Sequence, residues 1–246
     1  MLVAGDFAAG ILELEKGIFE RIRHINRTII YPASLAVKMT KGDFLCNTKK
    51  MRLGAVRDLM GIKQVLMDPE SKGPELVYMV VSGMTKERWE NLTIITAGRF
   101  GKEFPKTFGH YHGTETPETY RVISGEGVLQ VQKKHFDEKM WVWDQVEEVI
   151  LVKVKAGDEV TITPEYGHSM SNTGEAPLLT YDDWRAGHDP TDYAMIEKMQ
   201  GLAYYLVEEG GGVKALPNPK YQSLPEPKWM TAEEFNSFKK TKPQRQ

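Results

Sequence analysis

From residue 75 onward the chain is written in short runs in which β-branched and aromatic residues alternate with polar ones. The runs are "ELVYMVVSGM" (75–84), "NLTIITAGRF" (91–100), "TYRVISGEGVLQVQ" (119–132), "EEVILVKVKAGDEVTITP" (147–164), "SMSNTGEAPLLTYDDW" (169–184) and "LAYYLVEEGGGVKALP" (202–217), each cut by Gly, Pro, Asn or Asp. Runs of this kind at close spacing predict an antiparallel sandwich or barrel. The period-two alternation of "GVLQVQ" and "LVKVK" predicts strands with one face buried and the other wet. Glycines within "SGEG" at 124–127 suit a tight hairpin turn.

Elsewhere the apolar period lengthens. Phe7, Ile11, Leu14, Ile18, Ile22 and Ile25 recur at steps of three and four, which predicts an amphipathic helix from Asp6 to about Asn26. A weaker helical reading covers Ala55 to Met60 in "MRLGAVRDLMG", closed by Gly61. Near the end, "MTAEEF" (230–235) predicts a short helix with Thr231 as N-cap, Glu234 completing a capping box and Met230 stapling onto Phe235. Four prolines between 217 and 227 mark the segment before it as loop, and "KKTKPQRQ" reads as a solvated tail. The expected organisation is a partly helical N-terminal extension (1–49), a β domain (50–221) and a C-terminal tail with a short helix (222–246).

Composition narrows the function classes. With 246 residues, 41% of them hydrophobic, the chain can build one generous globular core. Lys and Arg number 32 against 34 Asp and Glu, so no basic excess points to nucleic acid or an anionic membrane. No apolar run approaches the ~20 residues of a membrane span. Cys46 stands alone, which excludes an internal disulfide, and "MLVAGDFAAGILELEKG" lacks the basic start and cleavage site of a secretory leader. These features predict a soluble cytoplasmic protein.

The chemistry concentrates in "TFGHYHGTETPETY" (107–120), which holds two of the six histidines. In an extended chain His110 and His112 project to one side while Tyr111 points away. Glu118 opens the next β-run, from which its carboxylate can reach the same side, and "GDEVTITPEYGHSMSN" (157–172) adds His168 after a proline turn. Three imidazoles and a carboxylate suit one divalent first-row ion such as iron, manganese, nickel or zinc.

"GHYHGTETPETYRVISG" (109–125) and "GDEVTITPEYGHSMSN" resemble the two motifs of the cupin superfamily. That resemblance implies a mainly β fold, a jelly-roll or double-stranded β-helix barrel, with His110, His112, Glu118 and His168 as metal ligands. Five residues separate His112 from Glu118, where most cupins have three or four. Flanking runs narrow the resemblance further: "GRFGKEFPKTFGHYH", "DDWRAGHD" and "NPKY" are similar to those of the cupin-type phosphoglucose isomerases of archaea and some bacteria. By that likeness Tyr78, Thr93, Thr107 and Gly109 fall where the family binds its sugar phosphate, and His188 lies in the matching Ala-Gly-His-Asp run. Tyr193 would be a further substrate contact, displaced by the extra "PT" at 190–191. Lys102 or His188 would supply a cation beside the phosphate.

The implied reaction interconverts glucose 6-phosphate and fructose 6-phosphate in glycolysis or gluconeogenesis, and the implied assembly is a homodimer. Glu118 would be the proton-shuttling base assisted by Tyr120, or a ligand alone if the hydrogen moves as hydride. The metal set leaves two competitors, a cupin dioxygenase and a non-catalytic sugar-phosphate-binding cupin. Trp141, Trp143, Tyr181 and Trp184 read as core or dimer contacts.

Overall fold

Each alternating run forms strand, and the Gly, Pro and Asn breaks form the turns between. The computed structural model describes residues 43–46, 49–84 and 87–241. In chain order these form β1 (Asp43–Cys46), β2 (Lys49–Asp58), α1 (Leu59–Ile62), β3 (Leu76–Ser82), β4 (Asn91–Ile95), β5 (Glu118–Ser124), β6 (Glu126–Asp137), β7 (Met140–Lys155), β8 (Glu159–Ile162), β9 (Tyr166–Asn172), β10 (Leu178–Asp182), α2 (Pro190–Lys198), β11 (Tyr204–Glu209), β12 (Gly212–Pro217), β13 (Lys228–Thr231) and α3 (Ala232–Thr241). A seven-stranded sheet has the order β1-β2-β3-β4-β10-β5-β8, and a four-stranded sheet has β13-β7-β6-β9. β11 and β12 pair separately as a hairpin. The fold is mainly β, as the alternation predicts.

The parity of side chains decides where the core lies. Tyr78, Ile95, Tyr120, Val122, Val160 and Leu178 of the larger sheet share one cluster with Leu129, Val131, Ile150 and Val152 of the smaller sheet. The two sheets therefore face each other across that cluster. Residues of opposite parity, Met79, Val81, Leu92, Ile94, Leu179 and Tyr181, form a second cluster with Leu53, Met84 and Trp89 on the outer side. Each aliphatic side chain buried this way stabilises by roughly 1.5–3 kcal/mol. The β5–β6 hairpin needs its glycine: Gly125 has φ +83°, and a Cβ there would lie 2.8 Å from the Pro177 carbonyl oxygen.

Two helical expectations meet different outcomes. The capping box is formed, with the Thr231 N–H donating to Glu234 Oε2 at 2.7 Å and the Glu234 N–H to Thr231 Oγ1 at 3.2 Å, and Met230 packs on the cluster that contains Phe235. Most of the helix expected over Ala55–Met60 is instead the end of β2, which pairs with β3 from Arg52 to Asp58. Helix is confined to Leu59–Ile62, capped by Asp58, whose Oδ1 accepts from the Gly61 N–H at 2.7 Å. Available pairing partners in β3 override a helical propensity that is weak in so short a stretch. β1 and the first residue of β2 likewise fall in the segment expected to be partly helical. The helix expected over residues 6–26 lies outside the described residues.

α2 has no apolar period to announce it, although its start is encoded. Asp189 is its N-cap, Pro190 fills the first position, and Asp192 returns a carboxylate oxygen to the Asp189 N–H at 3.1 Å. The two extra residues at 190–191 are thus the first turn of a helix.

Candidate metal centre

His110 and His112 belong to an extended segment that runs antiparallel to β9. His110 and His168 exchange backbone hydrogen bonds of 3.1 and 3.0 Å, which sets their side chains next to one another. Gly109 permits this approach: its φ is +84°, and a Cβ there would stand 3.3 Å from the His168 carbonyl oxygen. Tyr111 turns the other way, and its hydroxyl accepts from Gln132 Nε2 at 2.5 Å. Glu118 enters from β5, where it opposes Ile162 of β8. Asn172, the last residue of the second motif, is fully buried and serves the frame of the site. It ties the end of β9 to the end of β4 by bonds from Nδ2 to the carbonyls of Ile95 and Thr96, and braces the β9–β10 turn by a bond to the Ala176 carbonyl.

One ligand atom from each of His110, His112, Glu118 and His168 lies within 4.8 Å of all the others, and all four residues are buried. His110 Nε2 is 2.9 Å from His112 Nε2, and Glu118 Oε2 is 3.3 Å from His112 Nε2 and 3.0 Å from His168 Nε2. Adjacent ligands around an ion with ~2.1 Å bonds stand about 3.0–3.4 Å apart, so these spacings match. Glu118 Oε2 is buried, accepts no hydrogen bond among the described residues and faces two imidazole nitrogens. A shared cation would satisfy it. These four side chains could hold one metal ion.

The electrostatics agree with that use. Burial pushes His110 well below the ordinary histidine value, with the neighbouring His168, His188 and His112 rings adding to it. Burial also takes His112 down to about 2 and His168 to about 3. All three rings are neutral and offer lone pairs rather than charge. Burial raises the Glu118 carboxyl to about 8, against the lowering effect of a hydrogen bond from Tyr120. An anion so placed needs a counter-charge.

Around the cluster stand most of the other sequence-predicted residues. The Tyr120 hydroxyl reaches His168 Nε2 at 3.3 Å. The His188 ring lies 4.1 Å from that of His110, and its Nδ1 faces Asp192 Oδ2 at 3.5 Å. Tyr193, carried by α2, stands 5.6 Å from both His110 and His188. Tyr78 accepts the Phe108 N–H at 3.4 Å. Thr93 sits on the inward face between Val80 and Thr180. The Thr107 hydroxyl is engaged by the Met170 N–H at 3.0 Å. Lys102 is exposed and stands beside Glu209, away from the histidines.

Two contacts were hidden from sequence reasoning. Trp184 stacks on the His112 imidazole, centroids 3.8 Å apart and planes 12° from parallel, and donates Nε1–H to the Gly187 carbonyl at 2.7 Å. It therefore parts from Tyr181, which stacks on Trp89 in the outer cluster, and from Trp141, which packs on Tyr111. Arg57 lies opposite Tyr78 on β2, with its guanidinium near Phe108 and Tyr193. The signal for Trp184 is its place just before "RAGHD"; Arg57 carries none in a stretch whose local pattern favours helix.

Comparison with known proteins agrees with the geometry. A family model described as glucose-6-phosphate isomerase (GPI) matches residues 56–222. The glucose-6-phosphate isomerase of Thermococcus onnurineus is 30% identical over 206 residues, covering 78% of this chain and 99% of that protein. That of Pyrococcus horikoshii is 27% identical over 207 residues, covering 79% and 100%. Among solved structures, the Drosophila melanogaster CENP-C cupin domain aligns with 69% of this chain and 94% of its own, at 10% identity and a TM-score of 0.31. A predicted oxalate decarboxylase from Thermotoga maritima aligns with 45% and 80%, at 19% identity and a TM-score of 0.28. The four convergent side chains lie within the matched segment, and the chain belongs to the glucose-6-phosphate isomerase family.

Proposed function

We propose that this protein is a divalent-metal-dependent isomerase that interconverts glucose 6-phosphate and fructose 6-phosphate. The observation that carries this reading is the meeting of His110, His112, Glu118 and His168 at one buried point within the matched segment. Iron, manganese, nickel and zinc all accept such a set. An ion held there would act as a Lewis acid toward the oxygens at C1 and C2 of the sugar.

The remaining work falls to the chain. Isomerisation moves a hydrogen from C2 to C1 and a proton from O2 to O1. Glu118 takes the C2 proton on its other carboxylate oxygen, Oε1, and returns it to C1. Tyr120, hydrogen-bonded to Glu118 and close to His168 Nε2, relays the proton between O2 and O1. His188, oriented by Asp192, moves the proton at the ring oxygen during ring opening. Tyr78, Thr93, Thr107, Gly109 and Tyr193 bind the rest of the sugar phosphate; the proximity of Tyr78 and Tyr193 to the 107–110 segment supports this. The exposed position of Lys102 gives its part in phosphate binding no support. The same reading has the enzyme act in the cytoplasm as a homodimer, which sedimentation at twice the chain mass would support.

The test is to strip the protein with chelator, restore single metals, and follow fructose 6-phosphate conversion through a coupled dehydrogenase. Activity is expected to vanish on stripping and to return with at least one ion, and Glu118→Gln is expected to lose roughly 100-fold or more. Turnover that survives complete metal removal would sink the proposal. Deuterium from solvent appearing at C2 of glucose 6-phosphate made from fructose 6-phosphate supports the Glu118 shuttle; its complete absence reassigns Glu118 to metal binding alone.

A further inference from the structure

A hexose 6-phosphate carries its dianion at the end of the chain opposite C1 and C2, so the group that neutralises it must stand apart from the metal ligands. Arg57 meets that requirement. It opposes Tyr78 across the β2–β3 pair, which places both side chains on the inward face. Its Cζ lies 5.4 Å from the Phe108 ring centre and 5.9 Å from that of Tyr193. Tyr193 in turn stands 5.6 Å from His110, so one tyrosine ring separates the guanidinium from the nearest imidazole.

Among the described residues no carboxylate pairs with Arg57, and its Nε is buried without an acceptor. Its hydrogen bond goes to the neutral hydroxyl of Tyr78. Partly burying a cation without an anion is costly unless a ligand completes it. A second unmet group shares this inward face, for Thr180 Oγ1 is also buried without a partner and lies beside Thr93. A planar guanidinium with free donors, walled by aromatic rings, suits two oxygens of a phosphate.

We propose that Arg57 binds the phosphate dianion of the substrate and so makes the site prefer 6-phosphorylated sugars over free sugars. The proposal rests on the isomerase reading above. Its experiment compares Arg57→Gln and Arg57→Lys with wild type in the metal-loaded protein. Three quantities are read: KM for fructose 6-phosphate, calorimetric affinity for inorganic phosphate, and the slow turnover of unphosphorylated fructose. In Arg57→Gln the KM is expected to rise, and phosphate affinity to fall, by roughly 10- to 100-fold, as for loss of a charged hydrogen bond. Fructose turnover is expected to stay at the wild-type rate. Arg121→Gln, on an exposed arginine of β5 that pairs with Glu159, serves as control and should change none of the three.

A folded Arg57→Gln with wild-type KM and phosphate affinity overturns the proposal. So does an equal loss toward fructose and fructose 6-phosphate, because Arg57 would then act through the scaffold. If Arg57→Gln does not fold, Arg57→Lys is decisive: a rise in KM of roughly 3- to 10-fold is expected from loss of the bidentate fork, and no rise overturns the proposal. Wild-type protein inert toward sugar phosphates would defeat the isomerase reading instead, while the phosphate affinities of wild type and Arg57→Gln would still decide the role of Arg57.

Discussion

Trp184 offers the sharpest test of how the metal centre is held. Its indole lies flat on His112 and is itself fixed by the Nε1 bond to Gly187, so it limits rotation of that ligand ring. Trp184→Phe keeps a ring over His112 and removes one hydrogen bond, which costs about 0.5–1.5 kcal/mol of stability. Trp184→Ala removes the bond and a side chain that is 5% exposed, and is expected to cost about 3–5 kcal/mol. The effect on metal binding is smaller and separable. A stacked aromatic pair is worth about 0.5–1.5 kcal/mol, and groups that orient a ligand typically change metal affinity by about 10- to 100-fold. The assay is a competitive titration of the apo-protein against a chromophoric chelator, with urea unfolding of the same samples. Trp184→Phe should bind metal within about threefold of wild type, and Trp184→Ala at least about tenfold more weakly. A folded Trp184→Ala with wild-type metal affinity would show that the stack does not orient His112.

The remaining predictions probe the surrounding frame. Gly109→Ala forces a side chain into φ +84° with a 3.3 Å contact on the His168 carbonyl oxygen, so thermal unfolding should report a loss of about 1–2 kcal/mol or more and metal titration a weaker site; unchanged melting would contradict the tight crossing. Asn172→Ala leaves the carbonyls of Ile95, Thr96 and Ala176 without this donor and should cost about 3 kcal/mol in urea unfolding, with KM for fructose 6-phosphate unaltered in the folded fraction. A rise in KM there would mean that the amide serves the substrate. Chelation should lower the melting temperature, because an ion that binds only the folded state contributes about 2.7 kcal/mol at 100 times its Kd; equal melting with and without metal would argue against a bound ion.

Much of this molecule is encoded within a few residues of where it is used. Alternation places Val128, Val131, Ile150 and Val152 in strands because side-chain direction flips at every step, whatever the partner strand. The same rule brings His110 and His112 to one side, and the Thr231 and Glu234 pairing needs only one helical turn. Local rules also explain one failure. "MRLGAVRD" lacks a strong period, so its state was decided by the open edge of β3 beside it and not by its own residues.

Residue order alone thus carries the mainly β character, the ligand types and their pairing by parity, whereas packing settles which residues meet across long separations. That Glu118 Oε2 stands between His112 and His168 follows from strand register and from the backbone exchange between His110 and His168. That Trp184 covers a ligand while Tyr181 faces outward, and that Arg57 reaches Phe108 and Tyr193 on the inward face, depends on which face each strand end presents after pairing. Register is set by the summed burial of entire sheets, and no short stretch of residues contains that sum.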